Sequence, residues 1–444
     1  MTSKITEQSA SAQAEREAQA RLAADATLPA QREARALLTT TAVRNAANRM
    51  LDLALSRSLE HWQVDLDRLP ATADFVAQVT RDRFPKLDVP MHARWRHFVF
   101  AGRDLWREIA DSRIAHDPRA RARAEIDLAI TSVLLDAGSG GAWKYRDAET
   151  GIVAERSEGL ALASLRWFAS GAFSAAGSQT RASPADALRA DAIALKQVDA
   201  AALNAAFQVS HDNPLAGSAQ RAALLNRLGL AAEARPDLFA TTGVPRLGGL
   251  FDVFAQRASG HALPATVILE TLLDALGPIW DARPLLAGVP LGDCWPHPAL
   301  GLASEAKGYV PLHKLSQWLT YSLLEPLQNA GIEISGIDEL TGLPEYRNGG
   351  LLVDTGVLVP RDAQSVLTTH HVSHPFVVEL RALTVALLDR LVPLVAQRLG
   401  LANDMYVAAR VLEGGTWAAG RRIARDKRAD GGPPFHIASD GTVL

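Results

Sequence analysis

The sequence predicts a mainly α-helical protein: one large helical unit with a few short strands. That expectation rests on three observations. Apolar residues recur at three- and four-residue steps over long stretches, prolines and glycines punctuate them, and β-like runs such as LLVDTGVLV after Gly349 and Gly350 are few. No repeated alternation of strand and helix marks a barrel or a doubly wound sheet. The 444 residues suffice for a sizeable core, and no low-complexity linker divides the chain beyond its start. We therefore expect a flexible N-terminal arm over 1–30 and a single globular helical domain over 31–444, with room for two lobes.

In chain order, the first apolar stripe spans Ala36 to Leu59 and reads as one helix or two. PMHARWRHF, Pro90 to Phe98, interleaves aromatic with basic residues, so Arg94, Arg96 and His97 can reach an anion or form a solvated rim with Trp95 packed inward. Helical spacing resumes through Glu125 to Leu135. GSGGAWKYRDAETG, Gly138 to Gly151, lacks the lysine-serine or lysine-threonine ending of a phosphate loop and matches no dinucleotide fingerprint. RSEGLALASLRWF, Arg156 to Phe168, reads as a helix with Arg156 and Glu158 at its front. A further helix is expected with Ser183 as cap, Pro184 at the first helical position and Asp186 in the first turn. It runs into Pro214, which leaves His211, Asp212 and Asn213 at a junction.

A helical hairpin is expected over Pro245 to Leu276. The prolines at 278, 284, 290, 296 and 298 keep the next stretch irregular, with Asp293, Trp295 and His297 as pocket-wall residues or parts of a capped turn. Lys314, Gln317, Tyr321 and Glu325 then recur at helical spacing beside a second stripe of Leu312, Leu315, Leu319 and Leu323. That helix would anchor itself and present a polar row. The last long helix starts at Ser373 and Pro375, carries Glu379 and Arg381 near its N-terminus, and has a leucine stripe through Leu394. Beyond it the chain turns Gly- and Pro-rich, and GTVL reads as a short strand or an extended tail.

Composition narrows the function. The net charge of −3 gives no reason to expect a nucleic-acid partner. Cys294 is the only cysteine, which excludes an internal disulfide and a cysteine-based zinc or iron–sulfur centre. The start of the chain has no apolar signal-peptide core and no run is long enough to span a bilayer, so a cytoplasmic protein without a membrane partner is expected. His370, His371 and His374 do not have spacing that makes their rings converge on a metal, and neither HExxH nor GxSxG occurs. Neither a metal nor another cofactor is expected, and a homodimer stays open.

Glu345, Tyr346, Arg347 and Asp354 form the densest chemical cluster. Pro344 and the double glycine favour a turn there, and a carboxylate on it can stabilise a positively charged sugar carbon or attack it. The alternative is a helix cap in an inert loop. Lys314 and Arg347 are suited to a phosphate, Gln317 and Asn348 to an amide or sugar hydroxyls.

RWRHF, RSEGLALASLRWF, VSHDNPL, GDCWPHP, VPLHKLSQWLTYSLLEPL, GLPEYRNGGLLVDTGVL and EGGTWAAGRRIA together resemble a family of fungal and bacterial uracil-catabolism proteins long described as a domain of unknown function. The resemblance covers nearly the whole chain beyond the arm. It implies an N-glycosidic hydrolase that releases urea from ribosylurea or its 5-phosphate, although a uracil phosphoribosyltransferase label also attaches to such proteins. The order VPLHKLSQ, PEYRNGG, VVELRA, PPFHIASDG is similar to queuosine-salvage nucleotide glycohydrolases, helical proteins related in fold to DNA glycosylases. That likeness matches Lys314, Gln317, Glu379 and Arg381 and puts Glu345 where those proteins have an aspartate, with Ser322 at a position expected to be acidic. It implies a DNA-glycosylase-like core and Glu345 as the catalytic carboxylate, with Asp293 second and Asp354 in contention, and Lys314, Arg347 and Arg381 either binding the 5′-phosphate or screening the acidic cluster. Trp295 or Tyr321 would flank the leaving urea, and His211 or His297 would protonate it. A ribosyl or ribosyl-phosphate small molecule is thus the expected partner.

Overall fold

The computed structural model describes residues 28–114, 117–176, 185–240, 243–258, 260–301, 306–402 and 406–438. Most of the expected N-terminal arm, the Ser183–Pro184 helix start and the GTVL tail lie outside them. The architecture is mainly α-helical with scattered short strands and no closed sheet. Eight helices build the part that matters for function: α1 (Thr40–Leu55), α2 (Leu69–Arg83), α3 (Pro118–Leu134), α4 (Arg156–Ala169), α5 (Lys314–Asn329), α6 (Tyr346–Asp354), α7 (Pro375–Leu399) and α8 (Trp417–Lys427).

Local chemistry sets their starts. Thr39 caps α1 by accepting from the Ala42 N–H at 3.1 Å, and Asp117 caps α3 ahead of Pro118. His374 accepts from the Phe376 N–H to open α7, which Gly400 closes in a left-handed conformation at φ 73°. Pro393 lies inside α7 without ending it.

α5 is buried on nearly every face, the signature of a central helix. It packs on α3, while α7 packs on α1 and α2, and α6 crosses α8. The α6–α8 crossing is close because Gly420 carries no side chain: a Cβ there would meet the Arg347 carbonyl oxygen at 2.4 Å. Trp62, fully buried, ties the Trp62–Val64 strand to α7 by donating from Nε1 to the Phe376 carbonyl at 2.9 Å.

Among the described residues the strands form two-stranded pairs only. Cys294–Pro296 runs antiparallel to Tyr309–Pro311, and Thr369–His371 runs parallel to His436–Ala438. Cys294 is fully buried, and burial together with the Asp293 charge pushes its thiol pKa well up. No helix among the described residues is long and apolar enough to cross a membrane.

Two expectations need correction. The run after Gly349 and Gly350 is not β-like at its start: residues 346–354 are helical, and only Leu358–Pro360 is a strand. The cause is Glu345, whose carboxylate caps this segment and nucleates a helix through two glycines. The helix expected to end before Pro214 is broken into Ala192–Leu195 and Ala200–Ala206, because Asp199 caps the second piece by accepting from the Ala202 N–H.

Candidate active site

A cleft of about 360 Å³ opens between α4, α5, α6 and the start of α8. Its walls come from distant parts of the sequence: His92 and His97, Asp136 to Gly141, Arg156 and Ser157, Lys314 and Trp318, Leu343 to Arg347, Trp417, and Gly432 to Ile437. Apolar and aromatic surfaces with a few converging polar groups give it the character of a small-molecule site.

Glu345 lies on its wall, buried at the N-cap of α6, with Oε2 accepting from the Arg347 N–H and Oε1 from the Asn348 N–H, both at 2.8 Å. Burial raises the pKa of its carboxyl, and those two bonds with the charges of Lys314 and Arg347 only partly offset the rise. Glu345 is therefore a helix cap and a cleft residue at once. Lys314 opens α5 directly after His313, a non-glycine residue in the left-handed region at φ 47°. Burial lowers the ammonium pKa of Lys314, with the Glu345 charge opposing. Arg347 donates from Nη1 to the Gly431 carbonyl at 2.9 Å and lies over the Tyr346 ring at 4.8 Å.

One turn along α5 from Lys314, Trp318 packs against two histidines. The His92 ring stacks on it with centroids 6.0 Å apart and planes 17° from parallel, and His97 meets it edge-on at 5.8 Å. Desolvation first, and then the Arg94 charge, push the His97 pKa down to about 4, so this ring is neutral near pH 7. Asp136 is held by the fully buried Arg94 and accepts from the Ser157 hydroxyl at 3.0 Å. Trp318 Nε1, His97 Nδ1 and Arg347 Nε are buried atoms of cleft residues with no hydrogen-bond partner among the described residues. They are donors or acceptors a ligand can use.

The structure separates the other expected residues from this cleft. Asp293 is bound by both Arg381 terminal nitrogens at 2.7 Å, and by the Trp295 Nε1–H and the Lys314 N–H. Burial would raise its pKa, but the Arg381 pair overrides this and holds it well below the carboxylate range. It borders a void of about 10 Å³, room for one water at most. Glu379 accepts from the His61 and Trp62 N–H groups and stands 3.4 Å from His297. Trp295 lies under the Arg283 guanidinium. Asp354 is paired with Arg428 at 2.8 Å, and Tyr321 donates to the Thr341 carbonyl at 2.9 Å. Asn348 donates to Leu343, and Gln317 is fully buried with both amide atoms unpartnered among the described residues. His211 is fully exposed beside Asp212. Of the polar row on α5, Lys314 alone lines the cleft, since Glu325 turns to Arg96.

His92, Asp136, Trp318, Trp417 and Glu413 are the additions that sequence reasoning missed. His92 sits two positions before Arg94 in the segment already singled out. Glu413 stands directly before a Gly-Gly pair whose close packing marks an unusual turn. No group of three or more His, Cys, Asp or Glu side chains suited to a metal occurs among the described residues.

A family model described as "Protein of unknown function (DUF1688)" matches residues 36–444. The chain is 38% identical over 417 residues to "Protein urg3" of Schizosaccharomyces pombe, covering 92% of this chain and 98% of that protein. It is 36% identical over 418 residues to "Uracil catabolism protein 4" of Lachancea kluyveri, covering 86% and 92% respectively. With the match running through every wall of the cleft, the chain belongs to the DUF1688 family.

Proposed function

We propose that this protein is an N-glycosidic hydrolase of uracil catabolism that cleaves ribosylurea, as its 5-phosphate, to urea and ribose 5-phosphate. The observation that carries the reading is Glu345, a buried carboxylate fixed by two backbone N–H groups on the wall of an aromatic cleft, beside Lys314. A carboxylate so held needs no reorganisation to stabilise an oxocarbenium-like ribosyl carbon as the C1′–N bond lengthens. Lys314 and Arg347 supply positive charge for the phosphate, and Trp318, Tyr346 and Trp417 supply flat surfaces for the sugar and the leaving group. No metal is assigned a part. A relative named for uracil catabolism supports the pathway, and the resemblance of the sequence motifs to queuosine-salvage glycohydrolases supports a DNA-glycosylase-like core and hydrolytic chemistry at the lysine and acidic positions they share.

The transferase alternative fits less well. Phosphoribosyltransferases of the common type hold the pyrophosphate on a loop after a strand of an α/β sheet, and here the described strands form isolated pairs. The deciding experiment incubates the protein with ribosylurea and its 5-phosphate, with and without chelator, and follows urea and free sugar by mass spectrometry. Urea released in the presence of chelator, and lost in Glu345→Gln, is expected. Binding without turnover would make the protein a metabolite sensor instead.

A further inference from the structure

Urea is a poor leaving group, and the hydrolysis needs an acid that Glu345, tied into the α6 cap, is not placed to be. Neither His211, which is exposed, nor His297, which faces Glu379, reaches the cleft. His92 does. Its Nδ1 is 2.8 Å from Glu413 Oε2, and Nε2 has no protein partner among the described residues. Stacking on Trp318 fixes the ring plane, and the Ala409 carbonyl fixes the backbone by accepting the His92 N–H at 2.9 Å.

Glu413 is itself held in an unusual way. It lies on a π-helical turn, Leu412–Thr416, that precedes α8. Gly414 and Gly415 press this turn onto α2, since a Cβ on Gly415 would meet Val76 Cγ1 at 2.5 Å. Arg83 of α2 binds the other carboxylate oxygen at 3.2 Å. A single-turn π-bulge spends one extra residue to aim a side chain, and such turns cluster at functional sites. A carboxylate on one ring nitrogen sets the tautomer and leaves the other nitrogen for chemistry.

We propose that His92 is the general acid of this site, giving its Nε2 proton to the leaving nitrogen of the ribosylurea, with Glu413 as the residue that positions its ring and stabilises the imidazolium. The inference rests on the glycohydrolase reading for its substrate. As the C1′–N bond breaks, its electron pair goes to the urea nitrogen, which takes the His92 proton. Water adds its oxygen to C1′, and the proton it releases restores His92. The charged and titratable groups near the ring are Glu413 and Arg83, His97 with its centroid 6.3 Å away, the Arg94–Asp136 pair, and Lys314 and Glu345 on the walls of the same cleft.

Two measurements test this. The first needs no substrate: nitrogen-15 NMR of the histidine rings over pH 5–9, with His92→Gln used for assignment. The expected result is a neutral His92 protonated at Nδ1, with a titration midpoint that falls in Glu413→Gln. A neutral ring protonated at Nε2, or a midpoint unmoved by Glu413→Gln, overturns the proposal whether or not the protein has hydrolase activity. The second compares kcat against pH for wild type, His92→Asn and Glu413→Gln. Asn places its amide nitrogen where the ring has Nδ1, so it keeps the Glu413 contact and removes Nε2 alone. Expected are a loss of about 10²–10⁴ in kcat with KM little changed and the alkaline limb gone in His92→Asn, and an alkaline limb moved to lower pH in Glu413→Gln. Wild-type turnover with an unchanged profile in His92→Asn overturns the role of His92 and leaves the glycohydrolase standing. No turnover in wild type, with the NMR result as expected, sinks the glycohydrolase and keeps His92 as the proton-exchanging group of the cleft.

Discussion

Glu345 caps α6 on the cleft wall, and the function proposed above gives this cap the part of reactive carboxylate as well, two roles that sequence reasoning set against each other. Glu345→Gln should remove turnover and cost only about 1 kcal/mol of stability, because the amide oxygen still accepts one cap bond; urea assays and thermal melts separate the two effects. Burial raises its pKa, so the folded chain binds this proton more tightly than the unfolded chain does. The acid limb of the wild-type kcat/KM profile should then lie at higher pH than a solvent-exposed glutamate would give. Asp293 behaves oppositely. Asp293→Asn leaves the buried Arg381 without its counter-charge and should cost about 3–5 kcal/mol in chemical denaturation. Glu345 and Arg347 stand in one short polar turn and Lys314 heads a polar row on a helix, so all three were legible as candidates, and the structure brings them to one cleft wall. Asp293, Glu379 and Arg381 looked equally reactive, yet Asp293 and Arg381 pair with each other and Glu379 is held by the His61 and Trp62 N–H groups, and a sequence does not show which partners meet.

At the scale of elements, α5 and α7 were readable from their periodicity because each buries a wide apolar stripe. α6 was not, since two glycines and a valine-rich run argue against helix until the cap is seen. The π-helical turn before α8 was beyond reach for a different reason. Regular spacing before and after it conceals one extra residue, and its stability depends on contacts with α2 far back in the chain. Gly415→Ala should push this turn off Val76 and Thr80, cost about 1–3 kcal/mol, and lower kcat by displacing Glu413 without touching the cleft. Denaturation curves and steady-state kinetics on the same preparation check both effects.

For the molecule as a whole, the cleft is closed by residues 432–437, which are anchored by the parallel pairing of His436–Ala438 with Thr369–His371 and by the Arg347 bond to Gly431. Such a short ladder opens more readily than the α5 interior, so amides 436–438 should exchange faster than those of 315–324 and slow when ribose 5-phosphate binds, as hydrogen-exchange mass spectrometry would read. Which walls meet was illegible in sequence, because the segments concerned lie hundreds of positions apart and carry no signal of one another. The buried Cys294 has a practical bearing on that question. Its thiol is both shielded and hard to ionise, so maleimide dyes and spin labels will pass it over. The natural chain is thus already a silent background for labelling, and a single cysteine introduced at 436 would let a fluorescent label report whether this segment moves when a ligand binds, with no native thiol to remove first.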